Sequence, residues 1–155
     1  MIPEKVRKVL EQYSLEVLEF EEGSTPTAEM AAKRIGVSVA RIAKSILMKG
    51  KNGRFFMFVV EGNAKISSSK AKKVTGTKLR MATAEEALRV TGFSPGGICP
   101  FGVEGVEIFV DEGLSKYPVI YPAAGTDSSG VPISFERLKE ITGARICDVV
   151  QMNDK

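Results

Sequence analysis

Apolar residues recur at helical spacing from the start of the chain. Val6, Val9 and Leu10 share one face among Lys5, Arg7 and Lys8, which predicts a helix over residues 3–13. Residues 15–20 alternate imperfectly and read as a strand. In Ser24-Thr25-Pro26-Thr27 an N-cap precedes proline at a first helical turn, opening a helix over residues 28–35 that Gly36 stops. Ser38 starts one further short turn. Residues 43–49 and 54–60 flank Gly50-Lys51-Asn52-Gly53, whose Asn-Gly pair signals a β-hairpin. The second arm, Phe55-Phe56-Met57-Phe58-Val59-Val60, is apolar on both faces and belongs at the centre of a sheet.

Ser67 caps a short basic helix running to Val74, with Gly76 as its stop, and residues 78–82 alternate as a strand. Thr83 and Glu86 fit a capping box for a helix over residues 84–90 that ends near Gly92. A glycine-dense loop covers residues 92–102. Short strands at 106–110, 119–122 and 131–134, a helix at 135–142 and a strand at 145–150 complete the pattern. Helices and strands mix without a regular βαβ alternation, repeat or linker. The expectation is one α+β domain, residues 1–155, with a strongly curved mixed β-sheet and flanking helices.

The 155 residues, 43% hydrophobic and 26% charged, suit one globular core. Apolar runs are too short to span a bilayer, and the first residues begin an amphipathic pattern rather than a signal peptide. A cytoplasmic protein without membrane association is expected. Cys99 and Cys147 lie far apart and outside any C-x-x-C spacing, so they read as free thiols.

Charge changes the picture. Residues 41–80 hold eleven Lys and Arg against one acid, Glu61, a local charge of +10; the other 115 residues carry eleven basic and eighteen acidic groups, or −7. Ordinary solubility does not require forty residues so nearly free of acid, whereas a polyanion-binding surface does. The candidate ligands are Arg41, Lys49, Lys51, Arg54, Lys65, Lys70, Lys72 and Lys73.

The chain has no histidine. That removes Ser-His-Asp and Cys-His nucleophile pairs and ordinary zinc ligation, so neither metal nor cofactor is expected. Any catalysis must use positioning, electrostatics or groups on the substrate. Lys44, within Ile42-Ala43-Lys44-Ser45-Ile46-Leu47-Met48, shares a strand face with Ile46 and Met48, which marks either an edge position or a site. Gly96-Gly97-Ile98-Cys99-Pro100 offers backbone amides that can grip a carbonyl oxygen or a phosphate. It is expected at the surface of a cleft, where a valine at position 97 would leave the fold intact. Cys99 lacks a base and reads as a small packing residue. Gly125-Thr126-Asp127-Ser128-Ser129-Gly130 reads first as a turn, with hydroxyls that matter only if it lies beside Lys44.

Several short motifs, in order, resemble the YbaK/prolyl-tRNA-synthetase-associated editing domain. They are the Thr/Pro stretch before an Ala-rich helix, Gly36-Val37, Ile42-Ala43-Lys44-Ser45-Ile46-Leu47, Ser68-Ser69-Lys70-Ala71-Lys72-Lys73-Val74-Thr75-Gly76, Gly96-Gly97-Ile98-Cys99-Pro100-Phe101-Gly102 and Tyr121-Pro122-Ala123-Ala124-Gly125. The resemblance implies a YbaK-like fold and a freestanding trans-editing hydrolase that cleaves mischarged tRNA, typically tRNA for proline. It makes Lys44 the catalytic residue. The family's substrate-holding loop matches Gly96, Gly97, Ile98, Cys99 and Pro100; Ser45, Gly125 and Thr126 join them as candidate substrate contacts, and the basic segment supplies Lys49, Lys51, Arg54, Lys70, Lys72 and Lys73 as candidate tRNA contacts. Partners would be the aminoacylated 3′ end of tRNA and prolyl-tRNA synthetase. The family relies on the substrate's 2′-hydroxyl or cysteinyl thiol rather than a protein nucleophile.

Alanyl-specific members carry a histidine in the segment corresponding to residues 121–124, and this chain has none. That tilts the expectation toward a cysteinyl or another small amino acid. Two readings from other classes stay open: a non-catalytic tRNA- or RNA-binding module of the same fold, and a small-molecule phosphate-ester binder.

Overall fold

A computed structural model describes residues 2–152. The hairpin forms where its turn residues predict. Strands β2 (Ala43–Gly50) and β3 (Phe55–Glu61) pair antiparallel from Ala43↔Glu61 to Lys49↔Phe55. The Gly53 N–H donates to the Gly50 carbonyl at 2.9 Å, and Gly53 takes φ +88°, a conformation that costs glycine little. Around the hairpin lie β4 (Leu79–Met81), β5 (Glu107–Asp111) and β7 (Arg145–Cys147). The sheet order is β4-β2-β3-β5-β7, antiparallel through β4, β2 and β3 and parallel through β3, β5 and β7. The expected mixed sheet with β3 at its centre is present. Residues 56–60 are buried on both faces.

Alternation along the strands builds two cores. Ala43, Leu47, Met57, Val59, Ile108 and Val110 face helices α1 (Glu4–Gln12) and α5 (Phe135–Thr142), which contribute Val6, Leu10, Phe135 and Leu138. On the other face Met48, Phe56, Phe58, Val60 and Phe109 pack against Ala71 of α3 (Ser68–Thr75), with Phe58 and Phe109 stacked at 5.4 Å. Each large side chain so buried contributes about 1.5–3 kcal/mol. A third, smaller cluster joins Ala31 and Ala32 of α2 (Ala28–Ile35) to Ile42.

The caps follow the sequence with one exception. Ser67 accepts from Lys70 N–H, and α3 and α4 (Ala84–Thr91) stop at the left-handed glycines Gly76 and Gly92. Thr83 and Glu86 form the reciprocal capping box, and Glu86 also receives both Arg80 guanidinium nitrogens at 2.8 Å. That bidentate contact holds the Glu86 carboxyl well below the usual carboxylate range. For α2 the cap is Thr27, which accepts from Met30 N–H, so Pro26 lies before the cap instead of opening the helix.

Four strand expectations need correction. Over residues 15–20 only β1 (Leu18–Glu19) forms, pairing with β6 (Ser129–Gly130) in a separate two-stranded ribbon. Segments 119–122 and 131–134 make single bridges, Ile120↔Ile133 and Ile42↔Tyr121, because Pro118, Pro122 and Pro132 remove ladder donors. The last strand ends at Cys147. Beyond it Val149 N–H turns to the Asp111 carboxylate at 2.8 Å and Gln151 N–H to the Lys65 carbonyl. Among the described residues no helix is long and apolar enough to cross a membrane.

The Thr83 hydroxyl opens α4 and thereby fixes the strand-to-helix corner after β4. Thr83→Ala is expected to cost about 1 kcal/mol. Urea unfolding should show a lower midpoint at unchanged slope.

Candidate functional site

The sheet leaves one stretch of β2 without a strand neighbour. On the side away from β3, β4 reaches β2 no further than Met48, and Ala82 N–H caps the Leu47 carbonyl. At the other end Tyr121 brackets the strand, accepting from Ala43 N–H and donating to the Arg41 carbonyl. Ser45 lies between. The antiparallel alternation turns its N–H and C=O away from β3, toward a cleft of about 410 Å³.

The walls come from three directions. The start of α2 supplies Thr25 and Glu29, the strand supplies Lys44 and Ser45, and the glycine loop supplies Gly96 and Ile98. Gly62, just past β3, seats the α2 wall. A Cβ there would fall 2.4 Å from the Val39 carbonyl oxygen and 2.9 Å from the Ala28 side chain, so only glycine lets these segments close.

Among the described residues, Lys44 and Glu29 are the only charged ones lining the cleft. The Lys44 ammonium donates to the Ala64 carbonyl at 2.9 Å, which orients the side chain and leaves two N–H donors. Burial lowers its pKa from the ordinary lysine value, and the Glu29 carboxylate works in the opposite direction. The result is an oriented, partly desolvated cation beside small loops. Two hydroxyls lining the same cleft, Thr25 Oγ1 and Ser45 Oγ, are buried without a hydrogen-bond partner among the described residues. A buried polar group left so costs about 1–3 kcal/mol.

The loop over residues 96–100 divides its residues among three surroundings. Gly96 and Ile98 reach the cleft. Gly97, Gly125 and Thr126 instead line a second recess of about 290 Å³ with Glu22 and Asp127. Cys99 and Pro100 are buried and line neither space, which for Cys99 is the packing place that its lack of a base suggested. The alternation that sends Ile98 outward sends Cys99 into the core among large side chains. Burial pushes the Cys99 thiol up to about 12, and burial with the nearby Asp111 does the same for Cys147. Both cysteines are free.

The tolerance expected of position 97 is also corrected. A Cβ on Gly97 would lie 2.9 Å from both Cα and N of Thr126, a backbone neighbour that cannot swing aside.

The basic residues separate into two groups. Lys49 pairs with Glu86 at 3.7 Å, Arg54 with Glu107 at 2.9 Å, and Lys70 with Asp148 at 3.1 Å while donating to the Val150 carbonyl. Lys51, Lys72 and Lys73 are exposed and form no ion pair among the described residues, as do Lys65 and Lys78. The Lys51 N–H donates to the Lys78 carbonyl, so the hairpin turn and the segment after α3 form one continuous surface. Lys65 follows Ala64, whose carbonyl holds Lys44.

Sequence reasoning missed Thr25, Glu29 and Gly62. Thr25 was visible only as part of a capping motif, and Glu29 as a first-turn helix acid. Nothing local marks Gly62, because its role is a close approach between distant segments.

The sequence profile of the aminoacyl-tRNA editing domain matches residues 22–141, and the chain belongs to that family. YwhH of Bacillus subtilis, itself uncharacterized, is 36% identical over 132 residues, 84% of this chain and 83% of that one. Proline--tRNA ligase of Thermosipho melanesiensis is 30% identical over 128 residues, 82% of this chain, which spans only 22% of the ligase. A crystal structure of a candidate trans-editing enzyme for prolyl tRNA synthetase superposes with a TM-score of 0.87 at 33% identity, covering 96% of both chains. The fold is YbaK-like.

Two outcomes test the site's construction. Gly97→Val is expected to lose about 1–3 kcal/mol of stability through overpacking, read by thermal or urea unfolding. Thiol reagents at pH 8 should leave Cys99 and Cys147 unmodified in the native protein and label both in denaturant.

Proposed function

We propose that the protein, residues 1–155 acting as one editing unit, hydrolyses the ester of mischarged tRNA in trans, on cysteinyl- or another small-aminoacyl-tRNA for proline. The observation that carries this reading is the oriented Lys44 ammonium in a cleft whose other wall is a glycine loop, within a chain of the editing family. Lys44 holds the terminal adenosine through its phosphate or ribose. The remaining donors around the ester carbonyl are backbone amides, those of Gly96 and Ile98 and the open N–H of Ser45.

Neither histidine nor a titratable thiol is present to act as base or nucleophile. The substrate supplies the reactive group. A cysteinyl thiol attacks its own carbonyl carbon, the bond to the ribose oxygen breaks with the thiol proton ending on that oxygen, and the thiolactone released is opened by water to the free amino acid. With other amino acids the 2′-hydroxyl positions the attacking water. The unpartnered Thr25 and Ser45 hydroxyls favour an amino acid small enough to enter and able to form a hydrogen bond. Gly97, Gly125 and Thr126 support the loop from behind.

The phosphates of the tRNA arm lie on Lys51, Lys72 and Lys73, which with Lys65 and Lys78 are the exposed lysines of residues 41–80 that form no ion pair among the described residues. Lys49, Arg54 and Lys70 serve the fold first, since each is tied to a carboxylate. The protein works in the cytoplasm beside prolyl-tRNA synthetase.

Single-turnover assays on a panel of mischarged tRNAs test the reading. Lys44→Ala is expected to slow deacylation by about 100-fold or more while tRNA affinity changes little. Lys44→Arg should remain poor, because a planar guanidinium cannot take the ammonium's place on Ala64. A Lys44→Ala protein as fast as the parent makes Lys44 structural. A parent that binds tRNA without cleaving any ester is an RNA-binding module, and one that binds nucleotides but no tRNA is a phosphate-ester binder. Replacing Lys51, Lys72 and Lys73 together with Ala should flatten the salt dependence of tRNA binding by about 2 units of log–log slope. An unchanged slope places the interface elsewhere.

A further inference from the structure

Glu29 sits in the first turn of α2, where an acid complements the helix dipole. That accounts for its presence but not for its contacts. Two other acids at helix starts take the cation within reach, Glu4 pairing with Arg7 and Lys8 and Glu136 with Lys139, whereas Glu85, with Arg89 four residues on, does not. Glu29 has Lys33 four residues on, the favourable order for such a pair, yet among the described residues it forms none. Its carboxylate lines the cleft instead, where its field reaches Lys44 without closing a direct ion pair. The cleft therefore holds one cation and one anion with space between them.

An aminoacyl ester carries a matching pair of charges. Its ribose phosphate is anionic, and its free α-amino group, of a type that titrates near pH ~8, is largely an ammonium at neutral pH. We infer that Glu29 receives that α-ammonium and so restricts the cleft to esters of free amino acids. The inference rests on the deacylase reading above. With Lys44 taking the nucleotide end and Glu29 the amino end, the ester is held in one orientation, its carbonyl toward Ser45 and the glycine loop. A peptidyl ester, whose nitrogen is a neutral amide, gains nothing from Glu29 and is passed over.

The test crosses two proteins with two esters. Parent and Glu29→Gln are each given tRNA for proline carrying the amino acid the parent cleaves best, and the same tRNA carrying its α-hydroxy analogue, which replaces the ammonium with a neutral group of similar size. Glu29→Gln is expected to lower kcat/KM for the aminoacyl ester about tenfold and for the hydroxyacyl ester less than about twofold. Glu29→Asp should recover part of the loss, while melting temperature and tRNA affinity stay at parent values, since Glu29 is exposed. Equal losses on both esters, or no loss on either, overturn the assignment. A parent that cleaves no ester defeats the deacylase reading itself, and the role of Glu29 falls with it.

Discussion

The pairing of β2 with β3 decides which side chains reach the cleft, because strand side chains alternate and a slip of one residue exchanges the two faces. In the observed register Ala43 and Leu47 enter the core beneath α1 and α5, and Lys44 points to the α3 side, where the Ala64 carbonyl meets it. A shift of one position would drive the Lys44 ammonium among Val6, Leu10 and Val59, with neither water nor an acceptor, at a cost of several kcal/mol. The turn guards against this. The bonds from Gly53 N–H to Gly50 and from Gly50 N–H to Arg54 fix the closing residues, and the left-handed Gly53 admits few alternatives.

The strong local excess of positive charge does not act as one surface. Lys49, Arg54 and Lys70 meet carboxylates contributed by α4, β5 and the segment after β7, so acids from the negative remainder of the chain come back to neutralise them. What stays open for a polyanion is the smaller set on the hairpin turn, on α3 and on the segments that flank α3. Each exposed ion pair adds little to stability, about 0–1 kcal/mol. Lys70 differs because it also holds the Val150 carbonyl, drawing the chain after β7 toward α3.

Much of this fold was legible because local signals agreed with one another. The hairpin, the Ser67 and Thr83 caps, the glycine stops and the doubly apolar central strand each had a residue-level cause, and the same residues form those elements. The strands predicted at 119–122 and 131–134 failed because their apolar pattern outweighed three prolines that deny them ladder bonds. Lys44 stood out through its apolar flanks. Its position at the cleft, and the presence of Ser45, Gly96 and Ile98 there, follow from long-range closure. The same closure turned Gly97 toward Thr126 and hid Cys99, which no pattern over five loop residues could distinguish. Glu29 and Gly62 were illegible for a related reason: each acts on a segment distant in sequence.

The unpaired length of β2 around Ser45 is also a hazard of another kind. A strand edge with free N–H and C=O groups invites a strand from another molecule, the first step of edge-to-edge aggregation. Here that edge lies between α2 and the glycine loop, in a slot wide enough for a small ligand and walled on both sides. The same walls that shape the cleft keep foreign strands out. Widening the slot to admit a bulkier ligand would uncover the edge, so the breadth of substrates such a protein can accept is limited by its need to remain monodisperse.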